Sequence, residues 1–233
     1  MSALPLRGRG TGRLAGWLGL VGALVVLNYS SRLLAGDTPV ERRDIFYLWS
    51  TAVGTLVQFG LMLAIILWIA AGAPARELLA LRRPRSWKAA AGWAAGVLVG
   101  IFVLSLVLGP LLRAGEEQGL TPEEWDPSRA TPFVANFVLV STFVPVVEEL
   151  MFRGAGFSLL ERFGGTFAIV GSALLFGLAH GLVRALPVLV AFGLGLGWLR
   201  RRSNSVVPGI VLHGAFNAIG LLASVTLEGT GDG

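Results

Sequence analysis

The sequence predicts an all-α, polytopic transmembrane helix bundle of about seven helices, and three observations carry that expectation. Of 233 residues, 54% are hydrophobic and 14% charged, with a mean hydropathy of +0.72. The apolar residues fall in long blocks, where a soluble chain would mix them with polar ones. Almost all of the 19 Lys and Arg residues lie between those blocks. This composition excludes a disordered protein. A net charge of +5 and a pI near 10.9 would also suit a nucleic-acid binder, but basic residues confined to the gaps between apolar blocks encode membrane topology. The expected partner is therefore a lipid bilayer and not nucleic acid. With no cysteine in the chain, disulfides, thiolate metal sites and cysteine nucleophiles are excluded.

Each crossing of ~30 Å of hydrocarbon needs about 20 apolar residues. The first block, Leu14–Leu34, follows Arg7, Arg9 and Arg13. A basic flank before an apolar stretch also describes a signal peptide. This stretch is long for that role, however, and no small-residue cleavage site precedes Asn28 and Tyr29, so it reads as a helix. The next blocks are Ile45–Ala71, Ala89–Leu112 and Pro132–Phe152, then two shorter ones, Gly165–His180 and Leu186–Leu199, and finally Val206–Val225. Counting Lys and Arg by alternate gaps gives thirteen on the side of the N-terminus and six on the other. That places the N-terminus in the cytoplasm. The outer loop Arg113–Arg129 also carries Glu116, Glu117, Glu123, Glu124 and Asp126.

Fourteen acidic residues are present, and only Glu148 and Glu149 are embedded in an apolar run. A carboxylate at membrane depth has to face a bundle interior or a wet cavity. Arg153 lies four residues after Glu149, on the same helical face, while Glu148 is rotated ~100° away. One carboxylate can thus be tied by arginine and its neighbour left for chemistry. The chain has two histidines, His180 and His213, each within or at the end of an apolar block. Phe176 precedes His180 by four residues, as packing or as a lid. Asn217 follows His213 by four, close enough to fix the imidazole or to hydrogen-bond a substrate.

Singly, each feature has a plainer explanation. A Glu-Glu pair is often a solvated helix end, a histidine at an apolar edge is often a core residue, and Glu149 with Arg153 is often a structural ion pair. Together, in three successive polar interruptions of one half of the chain, they indicate a shared site. Glu148, His180 and His213 could form a three-ligand zinc set with an open position for water. They could equally work without metal, a glutamate activating water and histidine steadying the oxyanion. Spacing does not choose between the two, and the compact H-E-x-x-H pattern of common zinc proteases is absent.

The segments Glu148-Glu149-Leu-Met-Phe-Arg153, Phe176-x-x-x-His180 and His213-x-x-x-Asn217 resemble the three motifs of the CPBP (Abi) family of CAAX proteases and bacteriocin-processing proteins. That family includes the type II CAAX prenyl endopeptidases and bacterial immunity or lysostaphin-resistance-like proteins. The resemblance divides the chain into N-terminal transmembrane helices over 1–130, a CPBP-like core over 131–227 and a polar tail over 228–233. It implies an integral, multi-pass protein of a bacterial cytoplasmic membrane that cleaves a peptide bond in a membrane-associated protein or peptide substrate. On this resemblance Glu148 activates the water, Glu149 and Arg153 support it, and His180, His213 and Asn217 bind Zn2+ or stabilise the oxyanion.

A different class of function would be a non-catalytic immunity or scaffold protein of the same fold. A proton-coupled transporter would be expected to show an inverted repeat, which the chain lacks. One geometric demand follows from the motifs. If the fourth helix ended at Phe152, Glu148 would sit near the inner face, while His180, ~15 residues up the fifth helix at ~1.5 Å each, would sit near the outer one. The fourth helix is therefore expected to continue past Arg153 towards Arg162, with Gly164-Gly165 as the turn.

Overall fold

The computed structural model describes residues 6–35, 44–113, 122 and 125–227. Arg42, Arg43, the loop acids Glu116, Glu117, Glu123 and Glu124, and the tail Glu228–Gly233 lie outside the described residues. Among the described residues seven principal helices follow one another: α1 (Leu6–Ala35), α2 (Trp49–Ala70), α3 (Trp87–Leu112), α4 (Pro127–Phe163), α5 (Gly165–Ala179), α6 (Leu186–Ser203) and α7 (Val207–Leu227). No strand occurs among the described residues. Five of the helices, α1 to α4 and α7, are long and apolar enough to cross a bilayer. Large apolar side chains such as Leu33, Trp68, Leu106 and Leu111 point outward on them. That is a surface suited to lipid and costly in water.

Local chemistry accounts for the boundaries. The second apolar block is interrupted because Leu48 is extended, which separates a 3-10 turn, Ile45–Tyr47, from α2. Ser86 caps α3 by accepting from the Ala89 amide at 3.3 Å. Asp126 starts α4 by accepting from the Ser128 amide. The Ser128 hydroxyl, which donates to the same carboxylate at 2.6 Å, and the Arg129 guanidinium hold the Asp126 carboxyl down to about 2 from an ordinary 3.8. Gly164 ends α4 at φ 112 and ψ 146, a conformation open to glycine alone. The turn thus falls at Gly164-Gly165, and α4 continues past Arg153 to Phe163.

α4 organises the rest. It is not uniform: π turns at Leu139–Phe143 and Leu150–Gly156 flank the α-helical stretch Val144–Glu149. Pro145 contributes to the first, because it has no amide to offer the Ser141 carbonyl. Where the hydrogen-bond register shifts, carbonyls must be satisfied from elsewhere, and at membrane depth water is scarce. Three side chains supply donors. Asn217 Nδ2 reaches the Val140 carbonyl at 3.0 Å, Trp17 Nε1 the Met151 carbonyl at 2.9 Å, and Arg200 Nε the Arg153 carbonyl at 3.1 Å. Helices α7, α1 and α6 are thereby fixed to α4. Close backbone approach tightens the bundle further. A Cβ on Gly193 would fall 2.9 Å from Ala173 Cα, so α6 lies almost directly on α5.

Candidate active site

Glu149 and Arg153 form the buried base of the site. Both side chains are 0% exposed. Arg153 Nη1 donates to Glu149 Oε1 at 2.8 Å and Nη2 donates to the Gly193 carbonyl at 3.1 Å. Its guanidinium lies 4.3 Å from the centroid of the Phe176 ring, a cation–π contact in a dry setting. The i,i+4 spacing read from sequence is therefore realised as an ion pair that also ties α4 to α5 and α6.

Rotation along α4 puts Glu148 elsewhere. Its side chain is 12% exposed, and it lines a cavity of about 160 Å³ with Asn28, Gln58, Phe152 and His180. The walls come from α1, α2, α4 and the end of α5. The volume admits several water molecules. His180 follows the last turn of α5, with its Nδ1 2.8 Å from the Phe176 carbonyl. A carbonyl only accepts, so Nδ1 carries the hydrogen and Nε2 is left for the cavity.

His213 enters from α7 and bridges the two carboxylates. Its Nδ1 is 3.2 Å from Glu149 Oε1 and its Nε2 is 3.6 Å from Glu148 Oε2. The Glu149 carboxylate can only accept, so it takes a hydrogen from Nδ1, while Nε2 faces Glu148. Phe192 and Phe176 hold the imidazole edge to face, at centroid distances of 5.2 and 5.8 Å. Arg153, Glu149, His213 and Glu148 thus form one connected set, and His180 adjoins it through Phe176 and the cavity it shares with Glu148.

The sixth sits apart. Asn217 engages the Val140 carbonyl through its amide nitrogen, so it serves the first π turn, and no bond to His213 is formed. Among the described residues no group of three or more His, Asp or Glu side chains placed to hold a metal ion is found. Each imidazole has its Nδ1 engaged, His180 on the Phe176 carbonyl and His213 on Glu149, while Nε2 of His213 is turned towards Glu148.

Two residues from the N-terminal helices belong to the site and were not anticipated. Asn28 on α1 donates through Nδ2 to the Ala179 carbonyl at 2.6 Å, bracing the residue before His180. Gly181, at φ +67, packs so closely on Asn28 that a Cβ would come within 2.7 Å. Gln58 on α2 lines the cavity. Both are isolated side-chain amides in apolar helices, the same signal that drew attention to Glu148.

A helix bundle with lipid-facing apolar helices, a buried acid–arginine–histidine set and a cavity lined by Glu148 and His180 is an integral membrane protein with a polar site among its helices. Residues 130–219 match the family model described as Rce1-like, type II CAAX prenyl endopeptidase. The matched region holds α5, α6 and all six residues predicted from the motifs, and over that stretch the chain is similar to the CAAX-type endopeptidases that family model describes. Comparison with curated proteins and with solved structures gave no match.

Proposed function

We propose that this protein is an intramembrane endopeptidase in which Glu148 activates the water that cleaves a peptide bond of a membrane-associated substrate. The observation that carries this reading is the shared cavity: Glu148 and His180 line one space, large enough for water, between apolar helices. Glu148 accepts a proton from water while Nε2 of His180 accepts the other hydrogen, orienting an oxygen lone pair towards the scissile carbonyl. The oxygen–carbon bond forms, the carbon–nitrogen bond breaks, and the proton held on Glu148 passes to the departing amine. His213 Nε2, behind Glu148, offers a second station for that proton. Glu149 and Arg153 fix His213 and the helix beneath it, acting as positioning residues. Activity measured with and without a chelator separates this metal-free route from one in which Glu148, His180 and His213 would hold Zn2+.

The decisive test is Glu148→Gln, reconstituted in proteoliposomes against a quenched-peptide library that includes prenylated members. General-base removal is expected to lower turnover by about 10²- to 10⁴-fold with insertion and melting unchanged. Normal cleavage by that variant would refute the assignment. The topology proposed with it puts the N-terminus and the Arg82–Lys88 loop in the cytoplasm.

A further inference from the structure

Gln58 occupies a place where a membrane helix tolerates an amide poorly. α2 has a mean hydropathy of 2.2, and Gln58 lies near its midpoint, ~13 Å beyond Trp49 at ~1.5 Å per residue. Leu56, Val57, Phe59 and Leu61 surround it in sequence. At such depth a polar side chain needs polar company. Among the described residues Gln58 makes no hydrogen bond, whereas Asn28 across the cavity has its amide nitrogen on Ala179. The cavity therefore contains a carboxylate, an imidazole and one complete primary amide, with a carbonyl that accepts and two N–H groups that donate.

The rest of the lining is apolar: Leu24, Phe59, Met62 and Phe152. A peptide strand entering there brings main-chain N–H and C=O groups that such walls cannot satisfy, and leaving them unpaired is costly. We infer that Gln58 is a substrate-positioning residue whose side-chain amide pairs with a main-chain peptide group beside the scissile bond and holds the strand against Glu148. The substrate class is an extended peptide with apolar side chains, recognised through its backbone. The inference rests on the hydrolase reading above and adds to it the group that grips the chain being cut.

The experiment uses the full-length protein in proteoliposomes and the best-cleaved quenched peptide, prepared unmodified and N-methylated at each residue in turn. Gln58→Leu should raise KM about tenfold with kcat within about twofold, as expected for binding shared by ground and transition states. At one position, N-methylation should cost the wild type a similar factor and the variant nothing further. Gln58→Glu, which keeps the acceptor, should recover part of the loss, and Gln58→Leu should melt at or above the wild-type temperature. Penalties that multiply at every position, a fall in kcat alone, or unchanged kinetics would overturn the inference while cleavage dependent on Glu148 still stands. If the wild type cleaves no member of the library, the hydrolase reading fails and this assignment falls with it.

Discussion

Between Glu148 and Glu149 the helix turns ~100°, and that rotation decides which carboxylate meets water. Glu149 faces Arg153 and His213 in a dry interior, while Glu148 faces the cavity. The division follows from spacing alone and was legible, because i,i+4 neighbours must share a face. The contact of His213 with both carboxylates was not. It joins residues 64 apart in sequence, and no periodicity encodes which helices become lateral neighbours. Removing one member of a buried pair leaves the other uncompensated. Glu149→Leu is therefore expected to destabilise the protein by about 3–5 kcal/mol, and the double variant with Arg153→Met to recover much of it. Thermal unfolding in detergent measures both; a single variant that melts like wild type would show the pair to be dispensable.

At the scale of elements, the apolar blocks located the seven helices because lipid imposes both length and composition. The continuation of α4 to Phe163 was also foreseeable from the absence of proline after Arg153. Its two π turns were not read, although Pro145 and the neighbouring polar residues Ser141 and Thr142 hint at the first. Asn217 illustrates the consequence: its amide nitrogen completes the bonding of an irregular helix, a role the spacing to His213 did not reveal. Gly214 provides the test. A Cβ there would come within 2.4 Å of the Ser141 carbonyl, whereas one on Gly220 meets nothing. Gly214→Ala should push α7 from α4 and cost about 1–3 kcal/mol, with reduced turnover. Gly220→Ala should be neutral or stabilising by about 0.5–1 kcal/mol. Equal melting temperatures for the two variants would contradict this packing account.

Across the whole molecule, the two ends of the bundle keep the segregation read from charge. Arg82 donates to Asn204 and Arg13 to the carbonyls of Ile69 and Ala71, joining segments assigned to one side. Asp44 pairs with Arg129, and Tyr47 accepts from the Asp126 amide, joining segments assigned to the other. Since the chain has no cysteine, orientation can be read with single substitutions on an unlabelled background. Arg83→Cys should react with an impermeant thiol reagent only from the cytoplasmic face, and Ser128→Cys only from the opposite one. The reverse pattern would invert the topology. The N-terminal helices, which carry none of the three motifs, supply two walls of the cavity. Their contribution was hidden because single amides at unrelated positions form no motif.

A π turn is a stretch of helix that holds one residue more than its length requires, so a residue lost there can be taken up by reverting to ordinary winding. Such slack lies on both sides of Val144–Glu149. Drift in chain length during evolution could be absorbed at either flank without turning the carboxylates. Within the six residues between them there is no such tolerance, since a single deletion would swing the acid pair by ~100° and present the arginine-bound partner to the cavity.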